Sequence, residues 1–320
     1  MARIAYVDHS YHLKTRSNDF LTDILRGCGH IVDFFRDESW LGGRRVHFKE
    51  VIHHDIVIMF QSRCAPDGVI YASHHPNVVY VPMLDEFFFH TGPKSNFADF
   101  WKPFAGAKVL SFSRIVHAIA TAFGIYSFPA RYYQPPAPVR RTPAKGLRGF
   151  FWLRMEQQIS WPVIRHLIGE AKFDSLHIHY APDPGSLKPT LPDKRDFARY
   201  GITTSTWFED REDLLKIVRA ANVYFAPRLE EGIGQSFLEA MAMGQCVVAA
   251  DNGTMNEYIF HGVNGLLYSE TRPEPLDFSD AARIGRRAGI SVEKGYAAWK
   301  AREKDLADFI IRPAAEFYPS

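Results

Sequence analysis

The sequence predicts an α/β protein that contains two successive parallel sheets. Unbroken apolar runs such as 56–60 and 78–84 are typical of strands covered on both faces, as in a parallel sheet. Amphipathic helical patterns alternate with such runs along most of the 320 residues, a length that suffices for two domains. The stretch 134–143 holds four prolines and cannot form a regular element, so it separates one α/β region from the next.

The first region opens with a strand, a polar loop over 8–16 and a helix that Gly27 and Gly29 end. Ser113 is placed to cap a second helix, which runs to about Phe123. The predicted strands are 3–7, 30–35, 55–60, 77–83, 108–112 and 126–132. We predict an N-terminal domain over 1–134 and a proline-rich linker over 135–147.

The second region repeats the alternation of strands and helices. The predicted strands are 149–153, 175–180, 202–206, 223–226 and 246–250, and the predicted helices are 161–170, 211–221, 235–243 and 256–260. We predict a C-terminal domain over 148–280 and a helical segment over 281–320.

Composition and charge exclude several classes of protein. Thirty-eight Lys and Arg against 36 Asp and Glu give a net charge of +2, which argues against nucleic acid as the partner. No apolar run approaches the ~18 residues of a membrane span, and no secretory signal is evident. Three isolated cysteines argue against a disulfide framework or a zinc cluster. A cytoplasmic location is therefore the expectation.

The most informative stretch is 226–244, where a predicted strand leads through a loop with two glycines into a helix. This arrangement points backbone N–H groups and the positive end of the helix at one place, which suits a phosphate. Glu231 and Glu239 bracket the loop with seven residues between them. Carboxylates accept hydrogen bonds from sugar hydroxyls, so phosphate and sugar sites together indicate a nucleotide sugar.

A structural role explains the same spacing equally well. Ser236 and Glu239 fit a capping box, in which Glu239 bonds back to the start of its own helix. Spacing alone leaves the binding role and the capping role open.

The segment from Glu230 to Tyr268, EEGIGQSFLEAMAMGQCVVAADNGTMNEYIFHGVNGLLY, resembles the donor-binding segment of retaining glycosyltransferases of the GT-B fold, family 4. Glu231 and Glu239 match the E-x7-E pair of that family. Four further pieces resemble its bacterial surface-polysaccharide branch more loosely: YVPMLDEFFFH (80–90), KVLSFS (108–113), FFWLRMEQQISW (150–161) and TWFEDRED (206–213).

The resemblance implies two Rossmann-like domains facing a cleft. It also implies transfer of a sugar, with retention of configuration, from a nucleoside diphosphate sugar to a glycan or lipid-linked glycan acceptor. Neither a metal ion nor a bound cofactor is expected. Two other functions stay open, namely a GT-B epimerase acting on the nucleotide sugar and a non-catalytic nucleotide-sugar or glycan binding protein.

The resemblance also assigns roles on the donor side. Glu239 would hold the ribose, and Glu231 a hydroxyl of the transferred sugar. The residues placed around the diphosphate are Gly232, Ile233, Gly234, Gln235 and Ser236. Arg154 matches a diphosphate-binding arginine of the family.

The family's lysine about five residues after that arginine is absent, because Ile159 stands there. Arg228 is a candidate substitute, since a guanidinium can bridge phosphate oxygens; the alternative is a surface arginine. Phe208, with Trp207 and Glu209, follows a strand where the family reads the base, and packing of the two aromatics is the alternative.

In the first half, the resemblance places an acceptor-facing loop at His9 and His12. Asp85 and His90 follow a predicted strand at the sheet edge where open α/β sheets bind ligands. Asp85 is the favoured catalytic group there, because its carboxylate can orient a sugar or acceptor hydroxyl, and a solvated loop aspartate is the alternative. The histidines lack a repeated ligand spacing, so no metal site is predicted.

Aromatic and basic residues are interleaved between 87 and 104, which favours peripheral contact with an anionic membrane. The residues are Phe87, Phe88, Phe89, His90, Lys94, Phe97, Phe100, Trp101, Lys102 and Phe104. The alternative is that these rings form the core of the first domain, because large aromatic side chains are costly to leave in water.

Overall fold

A computed structural model of the chain describes residues 1–64, 70–86, 97–137 and 146–318. The fold divides into two compact units. One consists of Met1–Tyr132 together with Trp299–Ser320, and the other of Tyr133–Ala298. The predicted C-terminal segment 281–320 is therefore shared between the units, because a single helix, Ala281–Ile311, runs from one into the other.

The first unit contains a six-stranded parallel sheet. Its strands are β1 (Arg3–Asp8), β2 (Ile31–Arg36), β3 (Ile56–Phe60), β4 (Val78–Val81), β5 (Lys108–Ser111) and β6 (Tyr126–Pro129). They lie in the order β2-β1-β3-β4-β5-β6, and all neighbours are parallel. The chain changes direction across the sheet between β1 and β3. In open α/β sheets, ligands bind at the carboxyl ends of the strands at such a switch point.

The described helices of this unit are α1 (Tyr11–Thr15), α2 (Asp19–Gly27), α3 (Phe97–Trp101) and α4 (Arg114–Ala122). Ser113 caps α4 as predicted, since its hydroxyl accepts a hydrogen bond from the backbone N–H of Ile115. The polar loop predicted over 8–16 is wrong in part, because its second half forms α1.

Three aromatic residues that the sequence associated with a membrane lie in the core of this unit. Phe100, Trp101 and Phe104 are buried, and the Phe104 ring stacks on Tyr80 with centroids 4.1 Å apart. The core alternative is thus confirmed for these three rings. Phe87, Phe88, Phe89, His90 and Lys94 lie outside the described residues. Among the helices that are described, none is both long and apolar enough to cross a membrane.

The second unit holds another six-stranded parallel sheet. Its strands are β7 (Leu147–Leu153), β8 (Phe173–Tyr180), β9 (Ile202–Ser205), β10 (Val223–Phe225), β11 (Cys246–Ala250) and β12 (Leu266–Tyr268). Their order is β12-β11-β10-β7-β8-β9. The switch point of this sheet lies between β7 and β10, which are direct neighbours.

The described helices of this unit are α5 (Trp161–Ile168), α6 (Lys194–Tyr200), α7 (Arg211–Ala220), α8 (Gln235–Ala242) and α9 (Met255–Tyr258), and α10 (Ala281–Ile311) begins in it. The sequence pattern does not predict α6 or β12. The strand β12 has only three residues, and α6 is highly charged, so neither shows a clear apolar period.

A buried lysine closes the carboxyl end of α10 in the first unit. The Lys108 ammonium donates hydrogen bonds to the carbonyl oxygens of Phe309 (2.6 Å), Ile310 (3.0 Å) and Arg312. The Asn77 side chain donates to the carbonyls of Ile310 and Ile311. The last carbonyls of a helix have no partner within it, so these two side chains satisfy groups that would otherwise be buried without hydrogen bonds.

We expect Lys108→Met to lower the free energy of unfolding by about 2–3 kcal/mol, the scale for leaving buried carbonyls without donors. Lys304→Met is the matched control, because Lys304 lies on the exposed face of α10 and pairs with Asp308. Denaturant unfolding of the two variants measures the difference. Equal midpoints for Lys108→Met and the parent protein would show that the cap contributes nothing.

Candidate functional site

The loops that follow β7, β8 and β10 meet at the switch point of the second sheet. The backbone N–H of Leu229 donates to the Gln158 side chain (3.2 Å), which ties the loop after β10 to the loop after β7. The backbone N–H of Glu156 donates to the Ser186 hydroxyl (3.2 Å), which ties the loops after β7 and β8. Hydrogen bonds thus connect the loop after β7 to the loops after β8 and β10, and all three lie at the carboxyl end of the sheet, where α8 begins.

The loop before α8 requires glycine at position 234, because the backbone there is in the left-handed region. Gly234 caps the helix with a φ of +74°. A Cβ atom there would lie 1.9 Å from the Phe237 ring. With Gly234 so placed, α8 begins at Gln235, and the amides of its first turn face the loop, as the N–H groups at the start of a helix do.

Glu231 is held in this loop by residues that follow β11. It is 7% exposed, and its backbone N–H donates to the carbonyl of Gly253. The buried Thr254 hydroxyl lies within hydrogen-bond distance of the carbonyl oxygens of Glu231 (2.6 Å) and Gly232 (3.1 Å), to which its single proton donates. No sequence motif marks Thr254, because its role depends on the adjacency of β10 and β11.

Glu239 does not form a capping box. Gly234 is the N-cap residue and makes no side-chain cap, so Ser236 lies inside the helix. The Glu239 carboxylate instead accepts a hydrogen bond from Arg211 (2.7 Å), at the start of α7. Burial raises the pKa of Glu239, and Arg211 opposes that rise. The capping alternative is therefore wrong.

Arg154 and Arg228 both contact one aspartate, Asp183, which no sequence motif marks. Asp183 Oδ1 accepts hydrogen bonds from Arg154 Nε (3.2 Å) and Nη2 (3.0 Å), and Oδ2 accepts one from Arg228. Burial acts to raise the pKa of Asp183, but the two guanidinium charges outweigh it and hold the pKa below its usual value. The alternative of Arg228 as a surface arginine is wrong, because its side chain is only 19% exposed.

Aromatic side chains line the neighbouring ends of β7, β8 and β9. Phe208 is half-buried and stacks on His179 with centroids 5.4 Å apart. Trp207 is 38% exposed and contacts Trp152 edge to face. The Phe208 ring thus packs against the protein, whereas part of the Trp207 ring is accessible to solvent. Ile159 is buried, so the position of the absent lysine faces the protein interior.

In the first unit, His12 and His9 lie after β1 at the switch point of that sheet. The buried carboxylate of Asp8 contacts His12 Nδ1, the Asn18 amide and Arg36. The His9 ring lies against His12 with centroids 3.8 Å apart. Burial, with a smaller contribution from His12, lowers the pKa of His9 to about 4, so that this ring is neutral at pH 7.

Asp8, His9 and His12 are also close enough together to share a metal ion. However, Arg36 already supplies a cation to the Asp8 carboxylate, which disfavours a second one there.

Asp85 is half-buried in a short helical turn after β4, next to the buried Glu86. Burial raises the pKa of Glu86 to about 7, and its carboxylate accepts a hydrogen bond from the Tyr80 hydroxyl (3.2 Å). No sequence motif marks Glu86 as a site residue. His90 lies outside the described residues.

Two α/β units, each with a six-stranded parallel sheet, are typical of the GT-B class of folds. A family model described as glycosyl transferases group 1 matches residues 167–283, which fall within the second unit. No curated protein sequence matches the chain significantly.

Solved structures match nearly the whole chain. Anabaena Alr3699/HepE in complex with UDP and glucose aligns with a TM-score of 0.63 and 14% identity, covering 96% of this chain and 100% of that one. The lipopolysaccharide outer core galactosyltransferase WaaB gives 0.59 and 16%, with 96% and 99% covered. Sucrose-phosphate synthase from Thermosynechococcus elongatus gives 0.65 and 13%, with 97% and 98% covered. These similarities establish the GT-B fold.

Proposed function

We propose that this protein is a retaining glycosyltransferase that uses a nucleoside diphosphate sugar and transfers the sugar to a glycan or lipid-linked glycan. The observation that carries the proposal is the switch point of the second sheet. Arg154 follows β7 there. Arg228, Glu231 and the helix with Glu239 follow the neighbouring strand β10. Carboxylates for hydroxyls and guanidinium groups for phosphates together match a nucleotide sugar.

Each group has a proposed task in the reaction. Glu239 holds the ribose and Glu231 a hydroxyl of the transferred sugar. Arg154, Arg228 and the amides around Gly234 stabilise the negative charge that develops on the departing diphosphate, which is electrostatic catalysis. No metal ion or other cofactor is proposed, because these cationic and amide groups can meet the leaving-group charge.

Two of the structures to which this chain is similar indicate which substrates to test first. HepE is described with UDP-glucose, and WaaB is described as a galactosyltransferase of the lipopolysaccharide outer core. UDP-hexoses are therefore the first donors, and bacterial surface glycans the first acceptors. On the acceptor side we propose His9, His12 and Asp85, with His9 neutral and able to accept a hydrogen bond from a hydroxyl group.

Calorimetric titration with UDP-, GDP- and ADP-sugars, followed by a donor-turnover assay with EDTA present, tests this proposal. We expect micromolar to millimolar binding of one nucleotide class and release of the nucleoside diphosphate without added metal. NMR of the first product gives its anomeric configuration, which decides between retention and inversion. Binding without turnover would indicate a binding protein, and an epimerised nucleotide sugar would indicate an epimerase.

We also propose that the enzyme acts in the cytoplasm and contacts the membrane surface when its acceptor is lipid-linked. Because Phe100, Trp101 and Phe104 are buried, they are not available for such a contact. Sedimentation with anionic liposomes at low and high salt tests this part. Protein that stays in the supernatant at low salt would overturn the membrane contact and leave the transferase proposal intact.

A further inference from the structure

One buried carboxylate contacts two arginines that lie in the loops after two different strands, β7 and β10. Asp183 is 7% exposed, while the side chains of Arg154 and Arg228 are 15% and 19% exposed. Arg154 binds one carboxylate oxygen and Arg228 the other. The backbone adds to this arrangement, because the N–H of Asp183 donates to the carbonyl of Arg154 (2.9 Å).

Two guanidinium groups that contact one carboxylate repel each other, and the negative charge of the carboxylate offsets that repulsion. Asp183 supplies that carboxylate from the loop after β8, and it does so at the switch point where ligands bind in this class of sheet. A guanidinium carries five N–H donors. The carboxylate engages two of the five on Arg154, so Arg154 can contact the carboxylate and a phosphate at the same time. It also accepts a hydrogen bond from Arg228 Nη2.

We propose that Asp183 is a positioning residue that holds Arg154 and Arg228 side by side as a paired binding site for the diphosphate of the donor. This inference rests on the proposed function. The second cation comes from the loop after β10, and Asp183 brings it to Arg154. Arg228 thereby takes the place of the family's lysine, at whose position this chain has Ile159.

A competing role for the same contacts makes the opposite prediction. If Asp183 only occupied the arginines in place of a phosphate, its removal would free positive charge and strengthen diphosphate binding. If it positions the arginines, its removal lets them separate, and diphosphate binding weakens. The direction of the change in affinity therefore distinguishes the two roles.

The experiment compares the parent protein with Asp183→Asn and Asp183→Glu by calorimetric titration of UDP, UMP, GDP, GMP, ADP and AMP. Asp183→Asn keeps the shape of the side chain and removes its charge, and Asp183→Glu keeps the charge. Asp196→Asn is the matched control, because Asp196 is also 7% exposed and binds Trp161 and Arg165 in the same unit. Thermal unfolding of each variant shows whether it is folded.

We expect Asp183→Asn to weaken binding of the preferred nucleoside diphosphate by at least about 10-fold, the scale of one hydrogen bond to a charged group. The matching monophosphate should lose less than the diphosphate. Asp183→Glu should recover part of the loss, and Asp196→Asn should keep the parent ratio of diphosphate to monophosphate affinity.

The losses in Asp183→Asn and Arg228→Met should also be less than additive when combined, because both separate the same pair. The double variant is compared with the two single variants, so the comparison still tests the inference if Asp183→Asn is less stable than the parent but folded.

Unchanged or stronger diphosphate binding by folded Asp183→Asn would overturn the inference and leave the proposed function standing. Equal loss for diphosphate and monophosphate would also overturn it, because the effect would not concern the second phosphate. If the parent protein binds none of these nucleotides, the proposed function fails, and this inference fails with it.

Discussion

Arg154→Ala is expected to slow sugar transfer by roughly 100-fold or more at saturating donor, the usual scale for removing one preorganised group that stabilises developing charge. Arg154 contacts Asp183 and lies over the Trp152 ring at 4.9 Å, so its guanidinium is held at the edge of β7. Arg228→Ala should show a similar loss, because it removes the other half of the pair. Steady-state kinetics with the donor identified by titration measure both variants.

Arg165→Ala is the control for these substitutions. Arg165 lies in the same unit, its side chain is 52% exposed, and its ion pair is with Asp196 on α6. This variant should transfer sugar at nearly the parent rate. Parent-like kinetics for Arg228→Ala would reduce Arg228 to a structural partner of Asp183, and parent-like kinetics for Arg154→Ala would remove the proposed charge stabilisation altogether.

Glu231→Gln and Glu239→Gln should impair different steps of the reaction. Loss of a hydrogen bond to a charged group typically costs about 10–100-fold. For Glu239 we expect that loss in donor affinity, because the ribose contact is made in the ground state. For Glu231 we expect it mainly in kcat with the donor affinity retained, because the contact to the transferred sugar strengthens as the bond breaks.

Calorimetry with the nucleoside diphosphate and with the intact donor separates the two steps. Glu170→Gln is the control, because the side chain of Glu170 is 98% exposed in the same unit. If Glu231→Gln and Glu239→Gln both match the parent protein in affinity and turnover, the two carboxylates serve the loop and α8 alone.

The sequence alone predicted the alternation of strands and helices, because buried parallel strands must be apolar throughout and glycine or capping residues mark the helix ends. The helix cap at Ser113 and the wholly buried strand β3 are examples. It also predicted the strand, glycine loop and helix around Glu231, since that signal lies within nineteen consecutive residues, 226–244. Patterns of this kind can be predicted because they depend only on residues that are near one another in the chain.

Tertiary structure decided what depends on residues far apart in the chain. Asp183 lies 29 residues from Arg154 and 45 from Arg228, and only the adjacency of β7 with β8 and β10 brings the three together. The capping box at Ser236 and Glu239 is absent because Gly234, with its left-handed φ, is the N-cap residue. The helix therefore begins at Gln235, and Ser236 lies within it. Packing likewise assigned Phe100, Trp101 and Phe104 to the core. The residue type determines how hydrophobic an aromatic side chain is, whereas its burial depends on which strands and helices pack against it.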